Sequence, residues 1–249
     1  MLEEILKENL VEKRPEYALA LGILFSTIGL AVSVLMFKES PSFPAVFLTT
    51  LAAAPIAMKL RPTKGDFVRK YEHMIKVYAY LFFGMAISFA IWFAILPSAF
   101  TEVLFKEQLL KFTVGYFSFG TANFVSIVLN NIGLLLFFFL LSLFYGSGSM
   151  FLLSWNASIL GVMWGNTVKS ALAIFNPSLF IVNTIKAFPY LFPEVIAYFL
   201  AAIAGLMLSI NFAQKGKFNR TYKDSMMVLL VALVLIVIAG FVETIILGL

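Results

Sequence analysis

Met226–Leu247 reads MMVLLVALVLIVIAGFVETIIL, and a single ionisable side chain, Glu243, interrupts it. A helix needs about 20 consecutive apolar residues to cross the hydrocarbon core of a bilayer. A strand of this composition would leave its N–H and C=O groups unpaired in lipid, so the run must be helical. Working back toward the N-terminus, similar runs lie near Tyr190–Ala213, Met150–Val168, Ser126–Tyr145, Val77–Leu96, Ser42–Leu60 and Tyr17–Phe37. The expected fold is all-α: a polytopic transmembrane helical bundle of about seven spans, with one or two interfacial amphipathic helices. The weakest spans are the second, which carries Pro44 and Pro55, and the fifth, which carries Asn156, Asn166 and Thr167. The first run is read as a retained helix, because it is as long as a full span and has no clear small-residue cleavage site.

Composition supports this class. Of 249 residues, 61% are hydrophobic and 12% charged, against about 25% charged in soluble domains. The mean hydropathy is +0.97. The chain has no cysteine, which excludes disulfides, thiolate metal sites and cysteine nucleophiles. Its one histidine, His73, sits in the charged segment Lys70-Tyr71-Glu72-His73-Met74 and reads as a solvated interfacial residue. No catalytic residue, metal site or cofactor is expected, and the chain is read as non-enzymatic. Tyr145-Gly146-Ser147-Gly148-Ser149 resembles the serine turn of an intramembrane protease, but no base accompanies it, and a turn between helices explains it better. The net charge of +5 lies in segments between apolar runs. It points to lipid headgroups rather than nucleic acid.

Lys and Arg placement suggests an orientation. Thirteen precede the first run or lie between runs two and three or six and seven; five (Lys38, Lys106, Lys111, Lys169 and Lys186) lie in the other connections. The positive-inside rule then puts the N-terminus in the cytoplasm of a multi-pass cell-membrane protein, and seven crossings put the C-terminus outside. The expected organisation is a cytoplasmic interfacial helix over 1–16 and a three-helix transmembrane unit over 17–97. An outer loop with an amphipathic helix follows over 98–125, then a four-helix transmembrane unit over 126–249. In the outer loop, Glu102 and Lys106 are spaced to pair at i,i+4, as are Glu107 and Lys111.

Helices in lipid associate where small residues let backbones approach. Gly22, Ser26, Gly29 and Ser33 line one face of the first run. Gly161 and Gly165 form a GxxxG, Ala197, Ala201 and Gly205 a stripe, and Ala239 and Gly240 a further small face. Glu194 precedes Ala197 by three residues and Glu243 follows Gly240 by three, so both acids project with small residues toward other helices. Asn130, Asn131, Asn156 and Asn166 complete a candidate intramembrane polar cluster with Glu194 and Glu243, expected in the outer half of the bilayer. Such a cluster can act as hydrogen-bonded glue between helices, or bind a cation, proton or partner.

Read as an ordered set, these residues resemble the stage II sporulation protein M family. Asn130-Asn131 opens one helix as in the family. Asn156 is similar to a family Asn-Gly, with Ala157 for Gly. Pro189 and Glu194 match the ends of a Pro-His-Gly-x-x-Glu motif, and Glu243 matches a late acid. Tyr190 and Leu191 stand where the motif has His and Gly. The resemblance covers roughly 121–249. It implies a non-enzymatic membrane protein, the family's founding member being similar to a membrane partner of a wall-hydrolase machine. The expected role is a membrane scaffold or partner-binding component, a homo-oligomer or bound to a membrane protein partner. The alternative is a channel or transporter for a cation or small solute using Glu194 and Glu243.

Overall fold

Each apolar run falls on a helix in the computed structural model, which describes residues 11, 14–60, 67–114, 123–146, 148–213 and 218–248. The described helices are α1 (Tyr17–Met36), α2 (Ser42–Lys59), α3 (Phe67–Ile95), α4 (Ser98–Leu104), α5 (Lys106–Val114), α6 (Phe124–Tyr145), α7 (Ser149–Ala173), α8 (Ser178–Ala213) and α9 (Phe218–Leu247). No strand occurs among the described residues. The protein is an all-α, polytopic membrane protein. The helix expected over 1–16 falls almost wholly outside the described residues.

Six helices, α1, α2, α3, α6, α8 and α9, are long and apolar enough to cross a membrane. The expected fifth run is α7. Its 25 residues suffice in length, but Ser154, Asn156, Ser158, Asn166 and Thr167 dilute its apolar character, and it is not among the six. Several helices outrun the apolar stretches that announced them, α9 among them, which begins at Phe218 rather than Met226. α3 begins at Phe67 rather than near Val77, and α8 at Ser178 rather than near Tyr190. His73 therefore sits on a helix, half-buried, with its Nε2 buried and unpartnered, and not in a solvated loop. Nearby, Lys76 Nζ pairs with Glu72 Oε1 at 2.6 Å on the exposed side of the same helix.

The chain divides into two compact units: Met1–Lys111 with Leu153–Lys169, and Phe112–Leu152 with Ser170–Leu249. This division cuts across the expected 126–249 unit, because the middle of α7 belongs with the N-terminal helices. In the first unit α1 packs on α2 and α3. Gly22 and Gly84 meet where α1 touches α3. A Cβ on Gly22 would stand 2.5 Å from Leu81 O, and one on Gly84 would collide with the Leu19 carbonyl. Gly161 and Gly165 seat α7 on α3, with Ala86 O and Ala90 O only 2.5 and 2.7 Å from where a Cβ would lie. Some hydroxyls inside the bundle turn to backbone carbonyls, as Ser33 Oγ does to Pro41 O at 2.5 Å and Thr50 Oγ1 to Val46 O at 2.8 Å. This removes the cost of an unpaired polar group in an apolar setting.

The outer-loop segment forms two short helices rather than one. Phe105, at φ −121°, ψ 25°, separates α4 from α5. Glu102 and Lys106 thus lie on different helices, and no ion pair joins them. Lys111 carries no described side chain, so the Glu107–Lys111 pair lies outside the described residues.

In the second unit α8 packs on both α6 and α9, and α9 also touches α6. α8 is the central helix: 72% of its apolar window is buried in protein, against 22% for α6 and 33% for α9. Pro189 and Pro193 lie inside α8, so two intrahelical N–H donors are missing from its first half.

A candidate polar site in the second unit

α6 opens with a reciprocal cap. Asn123 Oδ1 accepts from the Ser126 N–H at 2.9 Å, and Ser126 Oγ accepts from the Asn123 N–H at 2.9 Å. The cap sets the helix in register, so Asn131, Leu135, Phe138 and Ser142 are all buried. These positions fall at i, i+4, i+7 and i+11, one helical face. Opposite them, Glu194, Ala197, Tyr198, Ala201 and Gly205 form a face of α8. Gly205 lets the chains close, since a Cβ there would strike Phe139 O and come within 2.8 Å of Ser142 Cβ.

Where these faces meet, Asn131 Nδ2 donates to Glu194 Oε1 in a short hydrogen bond. Tyr198 Oη donates to Asn131 Oδ1 at 3.2 Å, and the Tyr198 ring stacks on Phe138 with centroids 5.1 Å apart and planes 3° from parallel. The phenol's O–H occupies the amide oxygen of Asn131, which leaves the amide N–H for the carboxylate. Asn130 Nδ2 lies 3.5 Å from the same oxygen, at the limit of a hydrogen bond, and its residue is otherwise exposed.

Glu243 projects from α9 one turn past Gly240, where a Cβ would lie 2.6 Å from Val128 Cγ2 of α6. The Glu194 and Glu243 carboxylates are within electrostatic reach of each other, and the Tyr190 phenol feels both. Both acids are half-buried. The site thus holds two carboxyls, two phenols and an amide on three helices of one unit.

Asn130, Asn131, Glu194 and Glu243 belong to this unit; Asn156 and Asn166 belong to the first. There Asn166 is exposed and Asn156 half-buried. Sequence reasoning missed Tyr190 and Tyr198 as members. A usable signal existed for Tyr198, which follows Glu194 by four residues and so shares its face. In the Tyr145–Ser149 segment Tyr145 ends α6, Ser149 begins α7, and Gly146 between them takes φ 61°, in the left-handed region that favours glycine. Ser149 is buried at the start of α7, and Ser147 lies outside the described residues.

The family model for stage II sporulation protein M matches residues 79–246. The chain belongs to the stage II sporulation protein M family. The match runs from the middle of α3 through almost all of α9, beginning well before the 121–249 stretch in which the motifs lie. It takes in every residue of the polar site and leaves α1 and α2 outside. No curated protein and no solved structure matches the chain. Within this sporulation protein M family member, the Asn-Asn pair and the Pro189–Glu194 stretch come together in space through one hydrogen bond, Asn131 to Glu194.

Proposed function

We propose that the protein is a non-enzymatic membrane scaffold or partner-binding component, in which Asn131, Glu194 and Tyr198 tie α6 to α8. The observation that supports this reading is the engagement of Glu194 by an amide that is itself held by a phenol. Carboxylates used this way hold helices together. On this reading the chain also self-associates, and α6 supplies the face. Gly22, Gly29, Gly84, Gly161, Gly165, Gly205 and Gly240 are occupied by neighbours within the chain, whereas a Cβ on Gly133 would meet nothing within 4 Å. Leu129, Leu136, Phe137 and Leu140 around it are exposed. Because the chain has no cysteine, Gly133→Cys provides a single thiol. Oxidation in native membranes is expected to yield a disulfide-linked dimer. A thiol that stays monomeric there, while the chain remains folded, counts against self-association through this face.

A second reading, a pathway for a cation or small solute, draws support from the mutual reach of Glu194 and Glu243 beside Tyr190. Intramembrane acids often mark such pathways. Proteoliposome flux with cation- and proton-sensitive dyes separates the two. The scaffold reading expects no flux above empty vesicles, and flux abolished by Glu243→Gln establishes the other.

A further inference from the structure

A groove in the first unit runs between the C-terminal half of α1, the end of α3 and α4. Its apolar part is a cavity of about 330 Å³ whose lining includes Thr27, Ala31 and Trp92. A second cavity, of about 420 Å³, continues past Val34 and Phe100 to Lys38. Val34, Phe100 and Leu104 line both, so the two are continuous. Each lies within the volume range of about 300–1,000 Å³ typical of ligand pockets. The first cavity is almost wholly apolar. Its one indole N–H is turned inward, donating to Thr27 Oγ1 at 3.2 Å, and Thr27 Oγ1 lies 3.0 Å from Ser88 Oγ. The far end carries one charge, the ammonium of Lys38, and no carboxylate lines either cavity. Lys38 is exposed and has no ion-pair partner among the described residues.

We propose that this groove binds one anionic phospholipid, its acyl chain lying along Ala31 and Trp92 and its phosphate meeting Lys38. Three observations select that occupant. The walls belong to α1 and α3, both able to span a membrane, so the medium beside them is acyl chain. From Thr27 to Leu35 the α1 wall is about 12 Å long at 1.5 Å per residue, enough to hold a chain segment and not a headgroup alone. A cation at one end of an apolar groove matches the charge distribution of an anionic lipid, whose phosphate a lysine ammonium binds by charge-assisted hydrogen bonds. Bulk lipid at a smooth helix face would show no such end-to-end polarity.

Trp92 reports on its own groove once the other two tryptophans are replaced. In Trp155→Phe/Trp164→Phe, brominated-chain phosphatidylglycerol is compared with brominated-chain phosphatidylcholine at equal mole fraction in vesicles. Phosphatidylglycerol is expected to quench Trp92 several-fold more strongly. Lys38→Gln should reduce that ratio to near one, and Ala31→Phe, which fills the first cavity, should weaken quenching by both lipids. As a check independent of the tryptophan replacements, native mass spectrometry of the parent chain should retain a phosphatidylglycerol that Lys38→Gln loses. Equal quenching by the two lipids in the Lys38 protein overturns the proposal and leaves only annular lipid. So does a preference unchanged in Lys38→Gln. Trp92 shielded from both lipids overturns it as well, and indicates that a second copy of the chain covers the groove.

Discussion

Asn131 is the side chain on which the polar site turns, because it joins Glu194 and Tyr198 by hydrogen bonds. Its replacement by Leu removes the donor to Glu194 and strands a carboxylate among helices. Leaving a buried polar group unsatisfied costs about 1–3 kcal/mol, although interhelical hydrogen bonds in membranes average only about 0.6 kcal/mol. Asn131→Leu is therefore expected to lower stability in detergent by about 1–2 kcal/mol. Tyr198→Phe keeps the ring stack on Phe138 and loses only a phenol O–H, so it should cost less. Glu194→Gln keeps an oxygen to accept from Asn131 and should also cost less. Thermal unfolding of the three variants checks the order; Glu194→Gln matching Asn131→Leu would mean that charge, not the bond, holds the helices. Glu194 and Asn131 were legible in the sequence because polar residues stand out in apolar runs. Asn166 was grouped with them on depth, and Asn156 through the resemblance to the family's Asn-Gly. Depth fixes a residue's height in the bilayer but not which helices surround it, and these two belong to the other unit. Tyr198 was passed over because a tyrosine in an apolar run reads as hydrophobic packing.

The helices themselves were legible from apolar length, but their ends were not. Hydropathy measures the thickness of hydrocarbon, and a helix continues past it wherever polar side chains tolerate the geometry, as α3 and α8 do. Proline did not mark ends either: Pro55 lies inside α2 and Pro189 and Pro193 inside α8. In a membrane, neighbouring helices and side chains re-satisfy the freed carbonyls. Small residues were legible as packing faces, yet their partners were not, since a stripe shows what can approach and not what does. Gly84 gave no signal in the stripes and nonetheless lies as hard against a neighbour, the Leu19 carbonyl, as Gly205 does against Phe139 O. Gly84→Ala is expected to force α1 from α3 and destabilise the protein by about 1–3 kcal/mol, the usual cost of overpacking. Gly133→Ala, with open space around it, should be neutral or slightly stabilising through helix propensity. Paired melting curves of the two variants test this; equal effects would mean that the α1–α3 approach is not tight.

Across the whole molecule, orientation turns on α7. With the N-terminus in the cytoplasm, a crossing by α7 places the C-terminus outside, whereas six crossings place both ends on one side. We expect alkaline phosphatase fused after Leu249 to be active and a fused green fluorescent protein to be dark; the reverse pattern would remove α7 from the spans. The unit boundaries are the part of the architecture least visible in sequence, because α7 gives its middle to the first unit and its ends to the second. This has a consequence for biogenesis. The α3 surface around Ala86 and Ala90 is shaped to receive Gly161 and Gly165, which emerge from the ribosome about 75 residues later. At about 5–20 residues per second, that surface waits roughly 4–15 s before its partner arrives. During those seconds a nascent chain lacking α7 must be shielded by the insertion machinery, and slow codons between α3 and α7 would prolong its exposure.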